Sequence, residues 1–350
     1  MRIAITADPE LPVPPTHYGG IERIVDLLVR DLTRRGHEVT LFAHSASSSL
    51  GRLIPFSGGS SASALDTLRN ITTLTRSVFM HGYDVVHSFS RLNYLLPILP
   101  FRIPKVMTYQ RAITRRSVIL GSRLSNGTLH FTAISRHMMK PVADVGAWHL
   151  VPNCASLERL KFRAKVENDA PLMFLGRIEE IKGTHLAIEV ARRIGVKLCI
   201  AGNVPDNQQH YFETRIKPFI DDRQVVYVGP VDDEQKNLLL GRARALLMPV
   251  LWEEPFGIVM VEAMACGTPV IGLDHGAVSE VVEDGISGYV RDDVDGMVEA
   301  VERIGEIDRN LCRKRVELEF SDMAVTEKYL SVYRDVIAAC RKPAGPSHTS

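Results

Sequence analysis

The chain is expected to be α/β, with two Rossmann-like domains facing a central cleft, and three observations predict it. Short β-branched runs alternate with helical periodicity along the whole sequence, the pattern of a parallel sheet covered by helices. That alternation halts at a polar stretch, 156–169, and then restarts as a second series of similar size. A length of 350 residues, with 45% hydrophobic and 24% charged side chains, suits about two domains.

In the first series, residues 2–6, 38–43, 84–88, 105–109 and 131–134 read as strands. Between the first two, Ile21, Ile24, Val25, Leu28 and Leu32 fall on one helical face of the stretch 20–35, and Gly36 can end that helix. The loop 9–20 holds four prolines and two glycines and opens into the helix, so it is either a shaped, anion-receiving loop or a plain surface loop. Residues 45–64, rich in Ser and Gly, are expected to form a mobile excursion. In the second series, 171–175, 196–201, 225–228, 245–249 and 269–273 read as strands, and Leu186, Val190 and Ile194 are in register for a helix over 184–194. A last helix, about 321–340, precedes a tail, 341–350, expected to be flexible.

Composition excludes several classes. A formal charge of +1, from 42 basic and 41 acidic residues, rules out binding nucleic acid by bulk charge, and two Trp count against a base-stacking platform. The opening Met1-Arg-Ile-Ala-Ile-Thr-Ala-Asp8 carries one basic residue and a short apolar run, which does not read as a signal peptide. The most apolar stretches, 94–101 and 245–252, are interrupted by proline and about half the length that spans a bilayer. Cys154, Cys199, Cys266, Cys312 and Cys340 form neither a zinc knuckle nor a redox pair and suit reduced thiols in a cytoplasm.

The near-zero charge is a cancellation. Residues 1–150 hold 17 basic and 9 acidic residues, a net of +8, whereas 151–350 hold 25 and 32, a net of −7. Positions 85–143 contain nine basic residues (Arg91, Arg102, Lys105, Arg111, Arg115, Arg116, Arg123, Arg136 and Lys140) and no Asp or Glu. That stretch suits an anionic acceptor such as a lipid-linked saccharide, the anionic inner face of a membrane touched peripherally through 91–140, or a solvated face complementing the acidic second half.

Two motifs of the second half carry chemistry. Gly176-Arg-Ile-Glu-Glu-Ile-Lys-Gly183 follows an expected strand and leads into a helix, placing Arg177 and Lys182 where open α/β sheets bind ligands. Arg can fork onto two oxygens of a diphosphate while Lys supplies a point charge; alternatively, both are solvated cations beside Glu179 and Glu180. Glu254-Pro-Phe-Gly-Ile-Val-Met-Val-Glu262 follows the strand ending near Pro249, and 258–266 reads as a helix ended by Gly267. The N–H groups of Gly257, Ile258 and Val259 then form a helix start bearing partial positive charge, and Gly257 lets a phosphate approach the backbone. Glu254 and Glu262 lie about 12 Å apart at helical rise, roughly the separation of a hexose and a ribose joined through a diphosphate. Taken separately they could be a substitute helix cap and a buried structural acid; joined to the Arg177 and Lys182 loop, the sugar-nucleotide reading is the better one.

These residues resemble the retaining glycosyltransferases of family 4, which have the GT-B fold, over nearly the whole chain. Tyr18-Gly-Gly-Ile-Glu22, Arg35-Gly-His-Glu-Val39 and Asp84-Val-Val-His87 look like motifs of the family's first domain. Gly176-Arg177 with Lys182-Gly183 looks like its phosphate motif. Glu254-Pro-Phe-Gly257 through Glu262-Ala-Met-Ala-Cys-Gly-Thr-Pro-Val270 is similar to its E-x7-E signature, the most specific match.

The resemblance implies a catalytic group of Glu254, Arg177 and Lys182, with Glu254 on the transferred sugar and the two cations on the donor diphosphate. It places Glu262 on the ribose, the backbone of Gly19, Gly20, Gly257, Ile258 and Val259 around the phosphates, and Val231, in Val228-Gly-Pro-Val231, beside the base. It implies an acceptor-side domain, 1–155, to which the helix of about 321–340 returns, and a donor-binding domain, 156–320. The expected activity is metal-independent, front-face transfer of a hexose from a nucleotide-diphosphate sugar, UDP-sugar favoured, to a saccharide, glycolipid or small-molecule hydroxyl. No cofactor is expected beyond that co-substrate, no nucleic acid partner, and a cytoplasmic location.

Two departures stand out. Thr108-Tyr-Gln-Arg111 puts Gln110 where many members carry a histidine; Gln cannot move a proton, although it can still hydrogen-bond the sugar. Pro152-Asn-Cys154 stands in place of the family's Pro-Asn-Gly. His87 is either a cleft imidazole on the acceptor and sugar side or a structural strand-end residue. Among rivals, a dinucleotide-dependent dehydrogenase lacks its fingerprint, since Gly-x-Gly occurs nowhere. Asp293-Val-Asp295 reads as a helix-capping cluster rather than a metal motif. A phosphorylase or epimerase on the same fold would carry different motifs. The alternative from another class is a catalytically weak sugar-nucleotide binding protein, favoured by Gln110.

Overall fold

A computed structural model describes residues 1–15 and 19–341; Tyr18 of the first glycine motif and the tail beyond Arg341 lie outside them. The chain divides into two compact units, Met1–Pro152 with the chain from Asp322 onward, and Asn153–Ser321.

In the first unit lie strands β1 (Arg2–Thr6), β2 (Glu38–Ala43), β3 (Arg52–Pro55), β4 (Val85–Ser88), β5 (Lys105–Tyr109), β6 (Leu129–Ala133) and β7 (Ala147–Leu150). They form one parallel sheet in the order β3-β2-β1-β4-β5-β6-β7. Helices α1 (Gly20–Arg34), α2 (Ala64–His81), α3 (Arg115–Ser125) and the short α4 (Arg136–Met139) connect them. Ile3, Ala4 and Ile5 are fully buried, as central strands covered on both faces require. In α1 the expected stripe is buried at Ile24, Val25, Leu28 and Leu32, and Gly36 follows at φ 82°, a left-handed stop that glycine accepts cheaply.

The second unit contains β8 (Leu172–Leu175), β9 (Leu198–Ala201), β10 (Val225–Gly229), β11 (Ala245–Met248), β12 (Val270–Leu273) and β13 (Gly288–Arg291), parallel in the order β10-β9-β8-β11-β12-β13. Its helices are α5 (Thr184–Arg193), α6 (Gln209–Tyr211), α7 (Asp233–Arg242), α8 (Ile258–Ala265), α9 (Val278–Val281), α10 (Val294–Arg303) and α11 (Arg309–Arg315). Helix α12 (Asp322–Arg341) then returns to the first unit, where Arg35 pairs with Glu327 at 2.8 Å and Arg102 donates to the Cys340 carbonyl at 2.6 Å.

The expected excursion at 45–64 is corrected. Its middle is β3, paired in register with β2 from Thr40 and Arg52 to Ala43 and Pro55. Phe56 is buried and packs on Tyr94 with ring centres 5.6 Å apart, and Ser63 caps α2 by accepting from the Asp66 N–H. Serines and glycines around four strand residues hid an edge strand held by tertiary pairing. Strands β7 and β13, also four residues each at sheet edges, carry too little apolar alternation to be read from sequence.

Candidate active site

Each sheet reverses strand order once, between β1 and β4 in the first unit and between β8 and β11 in the second. In open α/β sheets the crevice outside the carboxyl ends at such a reversal is where ligands bind. The loops after β8 and β11 are the two that carry Arg177, Lys182 and Glu254.

Close backbone approaches set the geometry. Gly183, at φ 71°, ends the first loop, and a Cβ there would lie 1.9 Å from the Pro249 carbonyl oxygen, so only glycine lets the loops touch. The Leu251 N–H donates to the Ile181 carbonyl at 2.8 Å, and the Ala277 N–H donates to the Glu254 carbonyl at 2.8 Å. Glu254 is thereby fixed and buried, 6% exposed. Its Oε2 accepts from Lys182 Nζ at 2.7 Å and from the indole N–H of Trp252 at 3.0 Å, while Lys182 Nζ lies 4.7 Å from the Trp252 ring centre. Arg177 pairs with Glu179 at 3.0 Å.

The sequence motifs give the two cations to a diphosphate and Glu254 to the transferred sugar; in the structure Lys182 and Glu254 neutralise each other directly. Trp252 belongs to none of the sequence motifs, and its signal is its place two residues before Glu254 in a chain with only two tryptophans.

Gly257 caps α8 in the left-handed region, φ 76°, with no side-chain cap, and the half-buried Gly257, Ile258 and Val259 carry the amides of the first turn. One turn further, Glu262 Oε1 is 2.5 Å from Lys236 Nζ of α7, with side chains 13% and 15% exposed. Val231, half-buried, lies just beyond β10. The thiol of Cys266 is pushed up to about 12, by burial first and by Glu262 second, which removes it as a nucleophile.

At the first unit's reversal the loops after β1 and β4 bring together Asp8, Glu10 and Arg91, with Arg111 beyond β5 and Glu22 in the first turn of α1. The Glu10 carboxylate accepts from the N–H and hydroxyl of Ser61, whose carbonyl accepts from Arg91 at 3.2 Å. Asp8 is 9% exposed; its Oδ1 is buried without a hydrogen-bond partner, and its Oδ2 lies 4.0 Å from Arg111. Burial, and then Glu10, push the Asp8 carboxyl up to about 6. Burial likewise raises Glu22. Glu22 falls in a sequence motif, whereas no local pattern distinguishes Asp8.

Gly19 caps α1 and Gly20 is its first residue, and Gln110 stands half-buried one position beyond β5. His87 as an acceptor-side or sugar-side residue is corrected. It is fully buried, with Nδ1 2.6 Å from the Tyr333 hydroxyl of α12 and Nε2 2.6 Å from Thr108 Oγ1. Burial pushes its pKa down to about 3, so the ring is a neutral pin between β4, β5 and α12. Asp293 caps α10, accepting from the Gly296 N–H at 2.8 Å. Among the described residues no group of three or more His, Cys, Asp or Glu could hold a metal ion, and no helix is long and apolar enough to cross a membrane.

Two family models match. "Glycosyltransferase Family 4" covers residues 18–159 and "Glycosyl transferases group 1" covers 158–317. The chain is 33% identical over 226 residues to alpha-maltose-1-phosphate synthase of Mycobacterium tuberculosis, covering 58% of this chain and 57% of that one. The chain spans about half the length of the first curated relatives it matches. In three dimensions it is similar to sucrose-phosphate synthase from Thermosynechococcus elongatus, with a TM-score of 0.79 at 20% identity over 97% of this chain and 99% of that one. It is also similar to Anabaena Alr3699/HepE in complex with UDP-glucose, with a TM-score of 0.71 at 17% identity over 96% and 100%.

Proposed function

The chain belongs to the group 1 and family 4 glycosyltransferases and carries their GT-B fold, and from that premise we propose that it moves a hexose from a nucleotide-diphosphate sugar to a hydroxyl acceptor with retained configuration. The observation that carries this reading is the Lys182–Glu254–Trp252 cluster at the β8/β11 reversal, next to the open amide end of α8.

Donor cleavage breaks the C1–O bond, and the electron pair leaves with the diphosphate. Arg177, Lys182 and the amides of Gly257, Ile258 and Val259 stabilise that charge where it develops, which lets transfer proceed without a metal ion. Lys182 exchanges its Glu254 partner for a phosphate oxygen. Glu254, still oriented by the Trp252 N–H, then accepts hydrogen bonds from the transferred sugar. The acceptor hydroxyl attacks C1 from the face the diphosphate leaves, and its proton passes to a phosphate oxygen of the leaving group. Glu262 takes the ribose, and Val231 lies beside the base. Uridine diphosphate is the favoured carrier, in keeping with the UDP-glucose bound by HepE.

A donor panel scored by thermal shift tests the reading, because a ligand bound only by the folded state raises its melting point. A nucleotide-diphosphate sugar is expected to raise it and then to be consumed at a rate that EDTA leaves unchanged. No shift with any donor sinks the proposal, and a shift without transfer or hydrolysis favours the sugar-nucleotide binding protein instead.

We read the first unit as the acceptor side, working on a saccharide, lipid-linked or small-molecule hydroxyl, at a cytoplasmic location peripheral to the inner face of the membrane. The outer face of α3 supports membrane contact: Leu120 and Leu124 are 47% and 40% exposed and are flanked by exposed Arg116 and Arg123. Vesicles containing anionic lipid should sediment the protein while neutral ones do not; equal behaviour removes the membrane from the reading.

A further inference from the structure

Each carboxylate of the Glu254 and Glu262 pair has its own lysine, and the second lysine belongs to no motif. Lys236 projects from α7, whose start is held by a capping box between Asp232 and Gln235. Its ammonium lies 2.5 Å from Glu262 Oε1 and 3.3 Å from Asp233 Oδ1, so it is anchored from both sides. Glu262 Oε2 has no protein partner among the described residues, which leaves one lone oxygen able to accept from a ligand hydroxyl.

The physical need for such a lysine follows from the neighbourhood. A glutamate side chain has several staggered rotamers, so a carboxylate held at one point only can turn away from a ligand. A swung-away Glu262 would no longer offer its acceptor to a hydroxyl. A lysine bound to the opposite oxygen fixes its rotamer, and removing it strands a poorly solvated charge.

We propose that Lys236 is a positioning residue that holds Glu262 directed at the ribose hydroxyls, and so makes this site select ribonucleotides over deoxyribonucleotides. This rests on the assignment of Glu262 to the ribose. A site built to hydrogen-bond a hydroxyl rejects the analogue that lacks it, because its acceptor is left unpaired.

The test is calorimetric titration of the full chain with UDP, 2′-deoxy-UDP and 3′-deoxy-UDP, repeated with the adenine and guanine sets if UDP does not bind. The unaltered protein should prefer the ribonucleotide over at least one deoxy form by about tenfold, the worth of a hydrogen bond to a charged group. Lys236→Met should cut that preference to about twofold or less, whereas a merely structural lysine would weaken all three nucleotides alike. Lys236→Gln is read the same way if the Met variant melts below the assay temperature. An undiminished preference in the lysine variants overturns the proposal while Glu262→Ala still abolishes it. If Glu262→Ala also keeps the preference, or the unaltered protein has none, the ribose assignment itself fails.

Discussion

The carboxyl edges of the two sheets handle charge in opposite ways. At the β8/β11 reversal the two glutamates of the E-x7-E spacing are each neutralised by a short, direct contact: Glu254 by Lys182 at 2.7 Å and Glu262 by Lys236 at 2.5 Å. At the β1/β4 reversal the acids outnumber their close partners. Asp8 has Arg111 only at 4.0 Å and a buried oxygen with no hydrogen bond, and its carboxyl is pushed up to about 6. In the proposed reaction the paired edge hands Lys182 to an incoming phosphate, because Glu254 finds sugar hydroxyls in exchange, while Lys236 stays on Glu262. An unpaired edge holds a polar group that only a ligand or a proton satisfies.

Among effects on binding, the largest is expected where phosphate contact is proposed. Arg177→Ala should weaken nucleoside diphosphate binding by about tenfold or more and leave nucleoside binding nearly unchanged, as removal of a charge-assisted contact requires. Calorimetry with UDP and uridine checks this, and equal losses would erase the distinction between the two edges.

A smaller effect is expected in the first unit. The Asp8 carboxyl titrates at about 6 in the folded chain, against about 3.9 in an unfolded one. The folded state therefore binds the extra proton between those values, and stability falls as pH rises through that window. Asp8→Asn should raise the Tm by about 2–4 °C above pH 6 and change it little near pH 4, measured by thermal melts across pH. A lower Tm at pH 7.5 would mean that Arg111 already compensates the charge.

Much of this was legible in the sequence, for identifiable reasons. Buried parallel strands such as β1, β8 and β11 are continuous apolar runs, and local composition marks them. The E-x7-E spacing and the glycines at 183 and 257 are also local, so Glu254 and Lys182 could be named from their motifs. What stayed hidden depends on contacts between distant segments. Lys236 and Glu262 are 26 residues apart on different helices, and His87 meets Tyr333 across 246 positions. A strand-end histidine in a motif looks functional until α12 is seen to cover it. The short edge strand β3 owes its existence to pairing with β2, not to propensity.

The central claim is that the paired edge performs retaining transfer with Glu254 on the sugar. It is tested most directly by following the protein and an acceptor-containing extract with a UDP-α-hexose by proton NMR. The account predicts release of UDP together with a new α-anomeric signal, and loss of both by about a thousandfold in Glu254→Ala while its melting curve persists. A β-anomeric product, or turnover undiminished in the folded variant, would contradict it.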